Sequence, residues 1–204
     1  MSASNRPEIS LEVGQPAPRR KRWLRVLTAT VVVVGTLVAI FSLIVAMQPA
    51  GFTITRSTSI AAPPAVVFAH VNDFRNWRAW SPWEGMDPQL QRTYEGEAAG
   101  KGAVYAWAGN KDVGEGHMTI VGSDPPELIL IRVKFVKPFE ATNLTVFTFK
   151  PQGDQTLVTW TMAGKNNFVG KTVCLFMDMN DMVGGQFEKG LAQMKAVAEV
   201  APAN

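Results

Sequence analysis

Three side chains in this sequence could move a proton in an apolar setting: Glu84, Tyr105 and His117. A carboxylate, a phenol or an imidazole works as a general acid or base once burial shifts its pKa toward the working pH. That chemistry suits a cyclisation or dehydration of a hydrophobic substrate. The alternation around His117, in "GEGHMTI", puts Glu115, His117 and Thr119 on one strand face and Gly116, Met118 and Ile120 on the other. His117 therefore points away from the apolar side. Glu84 and Asp87 follow a tryptophan-rich stretch in an expected loop, where carboxylates are ordinarily solvated.

Other chemistries find little support. His70 stands between Phe68 and Val71 and reads as a structural histidine, and 47 positions separate it from His117, so no metal site is expected. Cys174 is the sole cysteine, which excludes an intrachain disulfide, and its apolar neighbours predict a buried, inert thiol. There is no nucleophile elbow, P-loop or dinucleotide fingerprint, and no cofactor is expected. Asp178 or Asp181 is placed to cap a following helix. The sequon Asn143-Leu144-Thr145 falls inside an expected strand, which argues against glycosylation.

The apolar residues are more informative. Tyr105 and Trp107 share one strand face. Ile129, Ile131, Val133 and Phe135 share another, and Val158, Trp160 and Met162 a third. Phe168, Phe176, Met177, Met179 and Met182 crowd the segment before the last helix, and methionine-rich surfaces adapt to varied apolar partners. Trp77, Trp80 and Trp83 recur every three residues in "DFRNWRAWSPWEGMDP". Trp77 continues the helical face of Phe74 and is expected in the core, whereas Trp83 follows Ser81-Pro82 and is positioned by a turn. The expected apolar-ligand contacts are Trp80, Trp83, Tyr105, Trp107, Ile131, Val133, Phe135, Trp160, Met162, Phe176 and Met179. Each serves equally well as ordinary core.

The elements that must position these residues follow from periodicity. "GFTITRSTSI" alternates as a strand. Pro63-Pro64 opens a short helix carrying Val67, Phe68, Val71 and Phe74. Residues 90–95, 103–108, 114–121, 127–136, 143–150 and 156–163 read as strands separated by turn signals, an antiparallel meander. Phe187, Leu191, Met194, Val197 and Ala198 make the stripe of a long amphipathic C-terminal helix.

The front of the chain is different. Residues 1–25 hold six basic and two acidic groups, net +4, which leaves −1 for the remainder. The basic balance belongs to the N-terminal arm, so nucleic-acid binding by the rest has no support. Residues 1–22 read as a disordered basic arm. Residues 23–48 read as an uncleaved transmembrane helix whose 22-residue apolar stretch, 26–47, is long enough to span the hydrocarbon layer. The positive-inside rule puts the N-terminus in the cytoplasm and residues 52–200 on the periplasmic or extracellular side.

The segments "STSIAAPPAVVFAHVNDFRNWRAWSPW", "GKGAVYAWAGN", "VGEGHMTI", "VKPF" and "GGQFEKGLAQMK" resemble the START-like, or Bet v 1-like, helix-grip superfamily in its SRPBCC, polyketide cyclase/dehydrase-like branch. The resemblance covers about residues 53–200. It implies an α+β helix-grip fold, a curved antiparallel sheet wrapped around the C-terminal helix, with a hydrophobic cavity beneath that helix. It also implies that the segment holding Trp80 and Trp83 lines an entrance. Three functions stay open: a membrane-anchored binder of a hydrophobic small molecule or lipid, a cyclase- or dehydratase-like enzyme, and an envelope interaction protein without a ligand.

Overall fold

The computed structural model describes residues 19–200. Most of the expected basic arm, residues 1–18, lies outside them, and from Arg19 the chain is already helical. Helix α1, Arg19–Met47, contains the stretch Arg22–Met47, which is long and apolar enough to cross a membrane. Many of its side chains, among them Trp23, Val31, Leu37 and Leu43, are more than half exposed, unlike those of a soluble core helix. The described chain falls into two compact units that part between Ala46 and Met47.

The second unit begins with β1, Gly51–Ile60, and continues through α2, Pro64–Asn72, and a 3₁₀ turn, Phe74–Ala79. Six strands follow: β2 Gln91–Gly96, β3 Ala103–Ala108, β4 Glu115–Asp124, β5 Leu128–Lys137, β6 Ala141–Gln152 and β7 Gln155–Lys165. Helices α3, Phe168–Phe176, and α4, Met179–Val200, end it. The seven strands form one antiparallel sheet in the order β1-β7-β6-β5-β4-β3-β2. The strand ends agree with the expected ones to within a few residues.

Alternation decides which face is buried. Ile54 and Ile60 on β1, Met118 and Ile120 on β4, Ile129, Ile131 and Val133 on β5, and Val158, Trp160 and Met162 on β7 all face inward. Helix α2 starts at Pro64, where a missing N–H costs nothing, and buries Val67, Phe68 and Val71. At Asp73 the backbone turns extended, and the carboxylate accepts the Arg75 N–H to start the 3₁₀ turn. The N–H groups of Trp80 and Ser81 both return to the Trp77 carbonyl, so the helical path closes just before Pro82.

Helix α4 starts on Asp178, whose Oδ1 accepts the N–H groups of Asn180 and Asp181 at 2.8 and 3.2 Å. It buries Phe187, Leu191, Met194 and Ala198. Arg56 fastens it to the sheet, donating to Glu188 Oε1 at 2.5 Å, Asn180 Oδ1 at 3.1 Å and the Asn180 carbonyl at 3.1 Å. Further along, Lys195 donates to the Ser59 carbonyl and Glu199 accepts the Ala61 N–H. That backbone bond holds the Glu199 carboxyl below its ordinary pKa, with help from Lys195.

Candidate functional site

Two of the three protic candidates meet. Tyr105 points inward from β3 and donates to Glu84 Oε1 at 2.8 Å. Arg92, inward on β2, donates through Nε to Glu84 Oε2 at 2.6 Å and through a terminal nitrogen to the Leu90 carbonyl at 2.8 Å. The expectation of solvated loop carboxylates is corrected: the Glu84 side chain is 9% exposed, and Asp87 is 7% exposed. The physical reason is the tight turn after Pro82. Bonds from Glu84 N–H to the Ser81 carbonyl and from Met86 N–H to that of Trp83 fold the segment under the ends of β2 and β3. Asp87 then accepts the N–H groups of Gln89 and Asn110, tying the β3–β4 turn to the approach of β2.

Burial, and then the hydrogen bond to Glu84, pushes the Tyr105 phenol far above its ordinary pKa, so it is a neutral donor at physiological pH. Burial and the Glu84 charge also raise Tyr94. For Arg92, burial works against the charge, but the Glu84 bond and charge outweigh it and the pKa rises. Both Glu84 oxygens are thus occupied, and the cluster staples the turn to the sheet. Beside it opens a cleft of about 280 Å³ lined by Arg78, Ser81, Glu84, Arg92 and Gln193. His117 is elsewhere: it pairs with Ala106 and Lys134 on the outer face, while Tyr105 pairs with Met118 on the inner one.

Most of the expected apolar contacts share the inner face. Ile131, Val133, Trp160 and Met162 are buried there, and Tyr105 stacks on Trp107, which meets Phe135 edge-on. Trp83 is half-buried against Trp160 and Phe187. Trp77 is core, as its spacing from Phe74 predicts, and its indole N–H donates to the Val71 carbonyl at 3.0 Å. The expected rim position of Trp80 is corrected. Its ring is buried against Trp77, Phe147 and Trp160, and its N–H donates to the His70 carbonyl at 2.9 Å. The 3₁₀ turn places both rings on its inner side before the chain reaches Pro82.

Phe176 and Met179 stand apart from this group. Phe176 is 75% exposed, and both line an open hollow of about 480 Å³ at the α3–α4 junction, with Cys174 and Met177. Cys174 is half-buried rather than buried, and its sulfur accepts from Asn166. Helix α3 has no buried residue.

Sequence reasoning missed two inner-face residues, Asn143 and Thr145. They are 8% and 1% exposed, yet Asn143 Oδ1 and Thr145 Oγ1 have no hydrogen-bond partner. The Asn143 amide N–H reaches only the Met162 sulfur, at 3.7 Å. Trp160, 1% exposed, leaves its indole N–H unpartnered as well. The signal was available: the alternation that turns Phe147 and Phe149 inward does the same for Asn143 and Thr145. Among the described residues no group of three or more His, Cys, Asp or Glu side chains could hold a metal ion.

A sheet whose strands are gripped by the C-terminal helix, with α2 and the 3₁₀ turn packed on the same inner face, defines a helix-grip protein. Residues 51–199 match the model of the family described as polyketide cyclase / dehydrase and lipid transport, and the chain belongs to that family. No protein of curated function matches its sequence. Solved structures share the fold at low identity. Protein CV1439 from Chromobacterium violaceum is 16% identical with a TM-score of 0.52, over 73% of this chain and 98% of that one. The Aha1 dimer from Colwellia psychrerythraea gives 13% and 0.53, over 73% and 97%. The di-domain ARO/CYC BexL from the BE-7585A biosynthetic pathway gives 14% and 0.54, over 78% of this chain and 53% of that one.

Proposed function

We propose that the second unit is a binding module for a hydrophobic small molecule or lipid, anchored to a membrane by α1. The carrying observation is the set of half-buried aromatics Phe52, Trp83, Trp107 and Phe135, together with a helix after β7, α3, that has no buried side chain. Fully packed interiors rarely leave large apolar rings half covered at one end, and ligand sites are lined by such groups. Family membership supports the same reading. Exposed Phe139, in the β5–β6 turn, and Phe168, just after β7, lie at the end of the sheet where β1 begins, which favours uptake from an apolar phase. The basic residues in the first two turns of α1, Arg19 to Arg25, favour a cytoplasmic N-terminus, with the binding unit on the periplasmic or extracellular face.

The test is native mass spectrometry of the full chain extracted from its source membrane. A stoichiometric bound apolar species is expected. Repeated recovery of the empty chain, with no uptake of added lipids, would remove the proposal.

A second reading is a cyclase- or dehydratase-like enzyme, favoured by the 2.8 Å contact between the Tyr105 phenol and Glu84. A neutral phenol beside a carboxylate can donate to a developing oxyanion. This reading requires Tyr105→Phe to abolish turnover while leaving binding intact.

A further inference from the structure

A helix on a soluble domain turns its apolar stripe toward the core. Helix α3 does the reverse. Phe168, Val169 and Phe176 are all exposed, and at 3.6 residues per turn they fall within an arc of about 100°. Cys174 stands opposite that arc, half-buried, where its sulfur accepts from the Asn166 amide at 3.4 Å. The helix therefore rests on the domain by its Cys174 side and presents its phenyl rings outward. Phe139, in the β5–β6 turn, is a further exposed ring. It lies at the same end of the sheet, because Ala141 opens β6 where Gly51 opens β1 and Lys165 closes β7. Exposed apolar rings gathered in this way mark a surface that meets another apolar phase.

The covalent chain says what that phase is. The apolar stretch 26–47 is about 33 Å long as a helix, so it fills a hydrocarbon layer of about 30 Å as far as Met47. Only Gln48, Pro49 and Ala50 separate Met47 from β1. Three residues reach at most about 11 Å. The Ala50 carbonyl accepts the Asn166 N–H at 2.7 Å, two residues before α3 begins. At any angle between the two units, the start of α3 is thus held a short reach from the head-group layer. We infer that the outward face of α3, with Phe139, docks on the phospholipid interface of the membrane that α1 spans. This rests on the anchoring reading above and goes beyond it, because the second unit then touches the bilayer with residues of its own. A helix in that position sinks its apolar face about 5–10 Å into the boundary between head groups and acyl chains. Nine residues bury too little surface to hold a free domain there. The tether makes the contact intramolecular, at an effective concentration of about millimolar, so a weak contact is populated.

The test uses the full chain in phosphatidylcholine nanodiscs. On a Cys174→Ser background, one environment-sensitive fluorophore is attached at Phe176→Cys, at Phe139→Cys, at Leu37→Cys within α1, or at Asp154→Cys in the β6–β7 turn at the opposite end of the sheet. Quenching by nitroxide-labelled phospholipid is compared with quenching by aqueous iodide. Relative to position 154, positions 176 and 139 should be quenched roughly threefold more by the lipid and roughly threefold less by iodide. The unsubstituted chain gives the same comparison without relying on the background. Irradiated with a diazirine-bearing phospholipid and digested, it should be tagged on the peptide holding residues 168–176 and not on the one holding residues 152–155. Iodide quenching at 176 and 139 equal to that at 154, with position 37 quenched by lipid, overturns the inference and leaves α1 as an anchor. No lipid quenching at position 37 removes the anchor and the inference together. Protection from iodide without quenching by lipid shows that a protein surface, such as a second copy, covers α3, and also overturns the inference.

Discussion

Gly184 is where α4 runs against the Arg56 side chain that fastens it to the sheet. A β-carbon at this position would fall on the Arg56 guanidinium, overlapping its Cζ and a terminal nitrogen and lying 3.0 Å from Nε. Gly185, its exposed neighbour, has nothing within 4 Å of the same construction. Intrinsic helix propensity favours alanine at both sites by about 1 kcal/mol. At Gly184 that gain is opposed. Arg56 must retreat, losing its bond to the Asn180 carbonyl and loosening those to Asn180 Oδ1 and Glu188. Hydrogen bonds to a charged group contribute about 1.5–3 kcal/mol each, but Glu188 is 63% exposed, so its share is discounted for solvent screening. Counting one bond lost and one weakened, Gly184→Ala should cost about 1–3 kcal/mol net. For a domain of this size that is a fall of roughly 3–10 °C in Tm, whereas Gly185→Ala should raise Tm by roughly 2–4 °C. Circular dichroism of the full chain in detergent, followed through the β-sheet signal, measures both. Identical shifts for the two alanines would show that Arg56 does not fasten the helix, and the close approach would then have no energetic consequence.

Other outcomes follow from the same contacts. Glu84→Gln should destabilise by about 3–5 kcal/mol in chemical denaturation, because it leaves the mostly buried Arg92 without its counter-charge, while Tyr105→Phe should cost about 1–3 kcal/mol. A Glu84→Gln loss no larger than that of an exposed control would mean the cluster staples nothing. Trp77→Ala should cost about 3–5 kcal/mol, a large share of a small domain's stability, and sharply lower Tm. Trp83→Ala should cost less and mainly speed dissociation of a fluorescent lipid probe. Equal destabilisation with unchanged release would make Trp83 ordinary core. Burial lowers the His70 pKa below 6.5, so the folded state resists its protonation. The resulting stability is present above pH 6.5 and declines as pH falls through the folded pKa. His70→Gln should flatten that slope in denaturant midpoints collected from pH 8 to pH 4.5, and an unchanged slope would exclude His70 as its source.

The sheet was legible because its alternation is strict. Inward positions of β4, β5 and β7 are apolar almost without exception, and glycine and proline punctuate the turns. Helix α4 was legible from its stripe, and its cap was narrowed to Asp178 or Asp181, of which Asp178 accepts the first N–H groups. Helix α3 was not: "FVGKTVCLF" has apolar residues on all sides, so periodicity could not separate a helix from a packed segment. The site was legible only in part. Glu84 and Tyr105 were picked by residue type, but the turn that buries Glu84 depends on Arg92, 8 positions later, and no local pattern announces that pairing. Trp80 was set at an entrance by the family resemblance alone, with core kept as the alternative, and its indole ends in the core. Asn143 and Thr145 were hidden by their chemistry: polar residues in an inward register look like breaks in the pattern rather than members of it.

The cover over the inner face is uneven. Helix α4 packs along β1 and reaches α2 and the 3₁₀ turn. Beneath it the Phe187 ring stacks on Trp160 at 4.0 Å, Trp83 caps the pair, and Gly190 lets the helix approach Pro82 and the Trp160 ring. That side is closed by rigid, interlocked rings, and opening it would forfeit the core. At Trp107 on β3 and Phe135 on β5 the covering is thinner, and both rings are only half-buried. Trp107 lies over bare backbone at Gly116, where a β-carbon would come within 2.6 Å of its ring, and it touches Phe135 edge-on. An indole resting on glycine is held by dispersion and by one long bond, 3.3 Å, to the Val113 carbonyl. It can therefore be displaced at lower cost than the stacked Trp160. The same fold thus closes one part of its concave face with interlocked rings and leaves Trp107 and Phe135 half-covered at another.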